Sequence, residues 1–356
     1  MEYLGKLHET TARFPQTDIW NDSCALEELE YALERGAVGA TTNPVIVLDV
    51  LKKESELWRE TIRKLLRENP FASEDEIAWL LIERIAAERA KLLLPVFRQH
   101  GGCKGRLSIQ TNPKYFNNSA AMLEQALRLD ALGENMQVKI PLSGAGLRTL
   151  EEATYRGISV NATAVFTLSQ LLMAADAVER GLLRREAEEL STKEMAPVCT
   201  LMIGRVDDHL KRHVRQFGPV VDPECLEWAG VAVFKKAYRL FQERGYRTRI
   251  LTAGVRNHHH WSALIGADCA MTISHDWQRQ LNESDISVEY NIKKPVEERF
   301  LSELFKIEAF RRDYDENGYR AEEFAEHPMF RATLAAFLEG YDGLVGRMRS
   351  AMLMEM

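Results

Sequence analysis

The chain is poor in cysteine, lacks a glycine-rich phosphate loop, contains no long apolar run and carries no excess of basic charge. Its five cysteines, Cys24, Cys103, Cys199, Cys225 and Cys269, are scattered, odd in number and without CxxC spacing. That argues against a disulfide framework and against a structural zinc site. No run of about 18 apolar residues occurs, so no membrane helix is expected. The opening Met1–Lys6 lacks the apolar core of a signal peptide. With 46 basic and 53 acidic residues the net charge is −7. No long basic patch appears, and nucleic acid is not an expected partner. Arg184-Arg185 and the run 211–215 read as solvated helix faces. The expectation is a reduced, cytoplasmic, soluble protein. No GxGxxG or GxxxxGK[ST] is present, which lowers the case for an open nucleotide-binding sheet.

What is present is a regular alternation. Short β-branched apolar runs fall at 17–20, 38–41, 105–110, 136–140, 158–162, 197–203, 249–252 and 269–273. Amphipathic helical patterns lie between them, at 26–35, 119–132, 144–155, 167–180, 225–244 and 260–265. Strands alternating with helices imply a parallel sheet. Eight such units imply a closed (β/α)8 barrel, an α/β TIM-barrel fold. Residues 51–99 form a charged helical insertion before the third strand, and 296–356 a helical C-terminal extension. Neither carries a linker composition, so residues 1–356 read as one barrel domain. The helices of 51–99 could support a homodimer, although nothing in the sequence demands one.

Lys139 stands out within Met136-Gln137-Val138-Lys139-Ile140-Pro141. An ammonium pointing inward from such a strand loses hydration, which favours the neutral amine. A neutral amine attacks carbonyls and forms a Schiff base. The plainer reading is an edge lysine facing water. The other strand ends shift the balance, because barrel chemistry sits there. They carry Asn21 and Asp22, then Thr41, Thr42 and Asn43, then Ser108 with Gln110, then Asn161 with Thr163. Arg205 and Asp207 follow the sixth strand, and Arg256 and Asn257 the seventh. Asp22 is the acid in the first half placed to take a proton from a substrate hydroxyl. Its plainer role is a helix cap, for which Ser23 is the better residue. Arg205 and Arg256 suit a bidentate grip on a phosphate. Their plainer role is an ion pair with Asp207 or Asp208.

At these residues the chain resembles the transaldolases, Schiff-base enzymes of the class I aldolase superfamily. Asp18-Ile19-Trp20-Asn21-Asp22 resembles the family's first-strand motif, and Gly39-Ala40-Thr41-Thr42-Asn43-Pro44 its TTNP signature. Val138-Lys139-Ile140-Pro141 is similar to the Schiff-base strand, and Gly157 to Phe166 to the fifth-strand segment. Ile203-Gly204-Arg205-Val206-Asp207-Asp208 and Gly254-Val255-Arg256-Asn257 resemble the two arginine motifs. The length and first motif are most similar to the longer bacterial subgroup. The resemblance implies transfer of a dihydroxyacetone unit from a ketose phosphate, such as fructose 6-phosphate, to an aldose phosphate, such as erythrose 4-phosphate. It implies no metal and no organic cofactor. Lys139 would be the nucleophile and Asp22 the acid/base. Thr42, Asn43, Ser108, Asn161 and Thr163 would bind substrate hydroxyls or position water, and Arg205 and Arg256 the phosphate.

Several positions depart from that pattern. Gln110 stands where transaldolases carry a glutamate that relays protons through water. An amide orients water but does not titrate. The related fructose 6-phosphate aldolases also carry glutamine there, paired with a tyrosine where this chain has Met202. Thr200 and Leu201 replace the serine and proline of the sixth-strand motif, and Gly254 replaces a serine before the seventh-strand arginine. His258-His259-His260 replaces small or polar residues. Three adjacent histidines cannot all face one metal from a helix start. A protonated one beside the substrate anion could replace the lost donors. The plainer reading is a solvent-facing helix start. Three functions stay open: a transaldolase of altered specificity, a lyase that releases free dihydroxyacetone, and a non-catalytic binding barrel.

Overall fold

Every residue of seven of the eight strands is buried, as parallel strands covered on both faces require. The computed structural model describes residues 2–355. The strands are β1 (Thr17–Asn21), β2 (Gly39–Thr41), β3 (Arg106–Gln110), β4 (Met136–Pro141), β5 (Val160–Val165), β6 (Val198–Leu201), β7 (Arg249–Thr252) and β8 (Cys269–Ile273). They close in chain order into one barrel, all parallel.

Alternation sorts the strand residues into two sets. Outward residues such as Ile19, Leu107, Ile109, Val138, Ile140 and Met271 join the large core shared with the helices. Inward residues build the barrel interior in layers. At its floor Asp18 pairs with Lys104 and Arg249, each at 2.6 Å. Above it Trp20, Val198, Leu251 and Ala270 form a separate apolar plug. Gly39 makes room for that plug, since a Cβ there would lie 2.5 Å from the Trp20 ring. The plug lifts the next inward residues into the C-terminal mouth, where the polar set collects.

The helices before β3 divide by function. Glu74–Gln99 starts at a Ser73–Glu76 capping box and packs on β3, as a barrel helix does. Asn135 holds it there by donating to Ala90 O at 2.8 Å. Pro44–Lys53 and Ser55–Glu68 are additional and pack against the last helix, Pro328–Glu355. That last helix also reaches β5, so the C-terminal extension borders the mouth.

Two expected strands end differently. The fifth lies at Val160–Val165 rather than 158–162, because the Ile158 amide is used by Ala153 O at the preceding helix end. The sixth stops at Leu201, and the helix Ile203–Phe217 begins where strand was expected to continue. Arg205 therefore sits in the first turn of that helix and Asp207 in its second, not on a strand end. Ser23 does not cap Leu26–Glu34 as a first-turn acceptor. It accepts from Ala25 N at 3.1 Å, while Glu54 takes the Leu26 N–H at 2.5 Å.

Candidate active site

Lys139 is 3% exposed and faces the barrel interior. Its Cα partners are Gln110 on β3 and Asn161 on β5, so the three stand in one row across neighbouring strands. Burial lowers the Lys139 amine below its ordinary value, Asp22 opposes that shift, and Arg205 adds to it. The amine makes no side-chain hydrogen bond or ion pair among the described residues. Asp22 is raised by burial, against the pull of Lys139, a Thr41 hydrogen bond, Arg205 and Arg256. The two groups are thus moved toward each other's range, the arrangement a proton-transferring site needs.

Thr41 rather than Thr42 serves this site. Its hydroxyl donates to Asp22 Oδ1 at 2.6 Å and lies 2.8 Å from Thr272 Oγ1. The Thr42 hydroxyl instead accepts from the Cys24 thiol at 3.5 Å, so Thr41 and not Thr42 is the threonine in contact with Asp22. Strand alternation was the available signal, since Thr41 shares the face of Gly39. Asn43 caps Pro44–Lys53, its Oδ1 accepting from Val45 N at 2.9 Å and Ile46 N at 3.1 Å. That leaves its amide nitrogen without a side-chain or backbone partner among the described residues.

Ser108 acts on its neighbour. Its Oγ accepts from Asn161 Nδ2 at 2.9 Å, while Asn161 Oδ1 accepts from Thr200 at 2.6 Å. Asn161 is therefore locked between two strands, and Thr200, a departure from the family pattern, supports it. By contrast, both amide atoms of Gln110 and the Thr163 hydroxyl are buried without a protein partner. Orphaned groups of this kind at a lysine suit an ordered water or a substrate hydroxyl. Beyond Thr163, Ala164 adopts φ 58° and the β5–β6 register slips between Ala162 and Val165. A non-glycine residue held there marks local strain at the site.

The two arginines differ. Arg205 is half-buried, and its Nη1 donates to Thr333 Oγ1 at 3.2 Å on the C-terminal helix. Arg256 is exposed and donates through Nε to Asp208 Oδ2 at 3.0 Å. Gly204 lets their segments touch, because a Cβ there would lie 1.9 Å from Gly254 O. Gly254 itself has φ 73°, so a serine at that position would be strained.

The histidine run is not a solvent-facing helix start. His260 is 0% exposed and shares a 2.8 Å hydrogen bond with Asp207, while His258 and His259 are half-buried. Asp207 is thereby engaged away from both arginines. Elsewhere, His209, Asp313 and His327 bring three ligand-type atoms within 4.8 Å of one another. His327 Nδ1 accepts from Met329 N at 3.2 Å, which puts its proton on Nε2, facing Asp313 at 3.3 Å. That tautomer offers no lone pair to a cation. The arrangement fits a lock instead, with His327 stacked on Phe166 at 5.6 Å.

Fold and site together define a parallel eight-stranded barrel with a buried lysine and a carboxylate at its C-terminal mouth. The family model described as Transaldolase/Fructose-6-phosphate aldolase matches residues 19–337, and the chain belongs to that family. It is similar to Transaldolase 1 of Streptomyces avermitilis, 28% identical over 258 residues, covering 70% of this chain and 64% of that protein. A transaldolase of Thiobacillus denitrificans is 30% identical over 212 residues, 59% of this chain and 58% of its own. One of Neisseria gonorrhoeae is 29% identical over 199 residues, 54% and 56% of the two chains. The matched part of the chain thus spans less than two thirds of the length of these relatives.

Proposed function

We propose that this chain is a transaldolase-type enzyme that moves a dihydroxyacetone unit between sugar phosphates through a Schiff base on Lys139. The observation that carries the reading is the buried Lys139, in register with Gln110 and Asn161 and electrostatically coupled to Asp22. The lysine amine, largely desolvated, adds to the ketose carbonyl carbon and gives a carbinolamine. Loss of water leaves an iminium, with Gln110 and Thr163 orienting the water that carries the protons. Asp22 takes the proton from the hydroxyl on carbon 4, the bond between carbons 3 and 4 breaks, and the electrons pass into the iminium as an enamine. An aldose then leaves, and the enamine adds to a second aldose by the reverse steps. Asn43 and Asn161 hold sugar hydroxyls, and Arg205 and Arg256 hold the phosphate. No metal or organic cofactor enters this chemistry.

Borohydride trapping with candidate ketoses, read by intact mass, tests the reading. A stable adduct on the wild type that disappears in Lys139→Ala is expected. No adduct with any ketose would sink it and leave a binding barrel. One observation favours the lyase as a second reading, namely the amide at Gln110. Met202 in place of a tyrosine weighs against it. Fructose 6-phosphate incubated with and without an aldose acceptor separates the two, since cleavage without acceptor belongs to the lyase.

The unpaired cysteines support a reduced, cytoplasmic setting. No described helix is long and apolar enough to cross a membrane. The packing of 51–99 and of the C-terminal helices on the barrel supports one domain over 1–356.

A further inference from the structure

A buried pair links the segments that carry the two arginines. Asp207 lies two residues after Arg205, and His260 four after Arg256; both are 0% exposed. His260 Nδ1 accepts the Arg256 backbone N–H at 3.1 Å. The ring proton is therefore on Nε2, which donates to Asp207 Oδ2 at 2.8 Å. Asp207 Oδ1 accepts from Gly230 N at 2.8 Å, and Asn257 Nδ2 approaches Oδ2 at 3.3 Å. The carboxylate is thus fixed from three directions, and through the imidazole it fixes Arg256.

We propose that His260 is a positioning residue that sets the separation of Arg205 and Arg256, and so the affinity of the site for a phosphate group. The proposal rests on the reading of these arginines as phosphate ligands. The β6–β7 ladder ends near Ala253, whose N–H goes to Leu201 O. Beyond it the chain turns through Gly254 at φ 73°, and the backbone N–H of Arg256 is held by His260. A grip by two guanidinium groups depends on their spacing, and small misplacements are costly. His260 cannot meet substrate itself, being fully covered with both ring nitrogens occupied. Without it the Arg256 N–H loses its partner and a buried carboxylate one of its three, and the loop relaxes to resolvate them.

The test measures the dissociation constant of inorganic phosphate by calorimetry for wild type, His260→Ala and His260→Asn. Alongside it, borohydride trapping of unphosphorylated dihydroxyacetone at Lys139 is followed. His260→Ala should weaken phosphate binding about tenfold while trapping stays within about twofold. His260→Asn keeps an acceptor for Arg256 N–H and should recover most of the loss. Asp207→Asn replaces His260→Ala should that variant not fold, with the same outcome expected. Unchanged phosphate affinity, or an equal loss in both measurements, would overturn the proposal. So would a wild type that binds no phosphate. A wild type that traps no ketose, yet binds phosphate in a His260-dependent way, removes the catalytic reading and supports this one.

Discussion

Gln110 stands opposite Lys139 across the β3–β4 ladder, and neither atom of its amide has a protein partner. An amide there can orient water but cannot exchange a proton with it. Replacing Gln110 by Glu supplies a group that can. The rate of borohydride-trappable adduct formation should rise about a hundredfold, the low end of general acid–base effects. An unchanged or lower rate would mean that Gln110 serves a different water geometry.

The same orphaned amide has a stability consequence. A buried unpaired polar group costs about 1–3 kcal/mol. Gln110→Met fills similar volume without polar atoms and should raise the free energy of denaturant unfolding by about 1–2 kcal/mol. Adduct formation should slow in the same variant. A loss of stability would show that ordered water already satisfies the amide.

Lys139 and Asp22 predict opposite pH signatures. Burial lowers Lys139, so between its depressed value and 10.5 the unfolded chain binds more protons than the folded one. Stability then rises with pH across that window, and the cost of the lysine is fully present below it. Lys139→Met should therefore stabilise the protein at neutral pH, with a gain that shrinks toward pH 10.5. Asp22 is raised, so its cost is present above its folded value and is lost as pH falls toward 3.8. Asp22→Asn should stabilise at neutral pH and cease to do so in acid. Urea unfolding across pH checks both, and pH-independent gains would contradict the burial of these groups.

These groups also mark what was legible in the sequence. The eight strands could be read because apolar runs of strand length alternate with helical periods. Lys139, Asp22 and Gln110 followed because strand ends face the mouth. Thr41 was missed in favour of Thr42, although period-two alternation separates them. The β6 boundary was missed for another reason. Met202-Ile203 continues the apolar run, and apolarity alone does not distinguish a strand end from a helix start. Ala164 at φ 58° has no glycine to announce it. The His260–Asp207 contact joins residues 53 apart, a distance at which local pattern carries no signal.

Gly254 converts one apparent deficit into a backbone requirement. Against the family pattern, the missing serine hydroxyl there counts as a lost phosphate donor. At φ 73° an L side chain costs about 1–2 kcal/mol, even though the space around Gly254 is open. Gly254→Ser should lower stability by about that amount in thermal or denaturant unfolding. It should not tighten phosphate binding, because the turn must shift to accept it. Tighter binding without loss of stability would show that the loop tolerates a serine.

Asp208 offers a way to strengthen the anion site. It pairs with Arg256 at 3.0 Å, with side chains 32% and 40% exposed, respectively. Such a pair contributes about 0–1 kcal/mol to stability. On the proposal that Arg256 holds the substrate phosphate, the Asp208 carboxylate competes for the same guanidinium and repels the phosphate. Asp208→Asn should lower KM for a phosphorylated ketose about two- to fivefold, corresponding to the energy of an exposed pair. The catalytic constant and the unfolding free energy should hardly move. The gain should fade at about 1 M salt, where the Debye length is near 3 Å. Steady-state kinetics at low and high ionic strength decide the matter. A higher KM in Asp208→Asn would mean that Asp208 orients Arg256 toward the phosphate instead of occupying it.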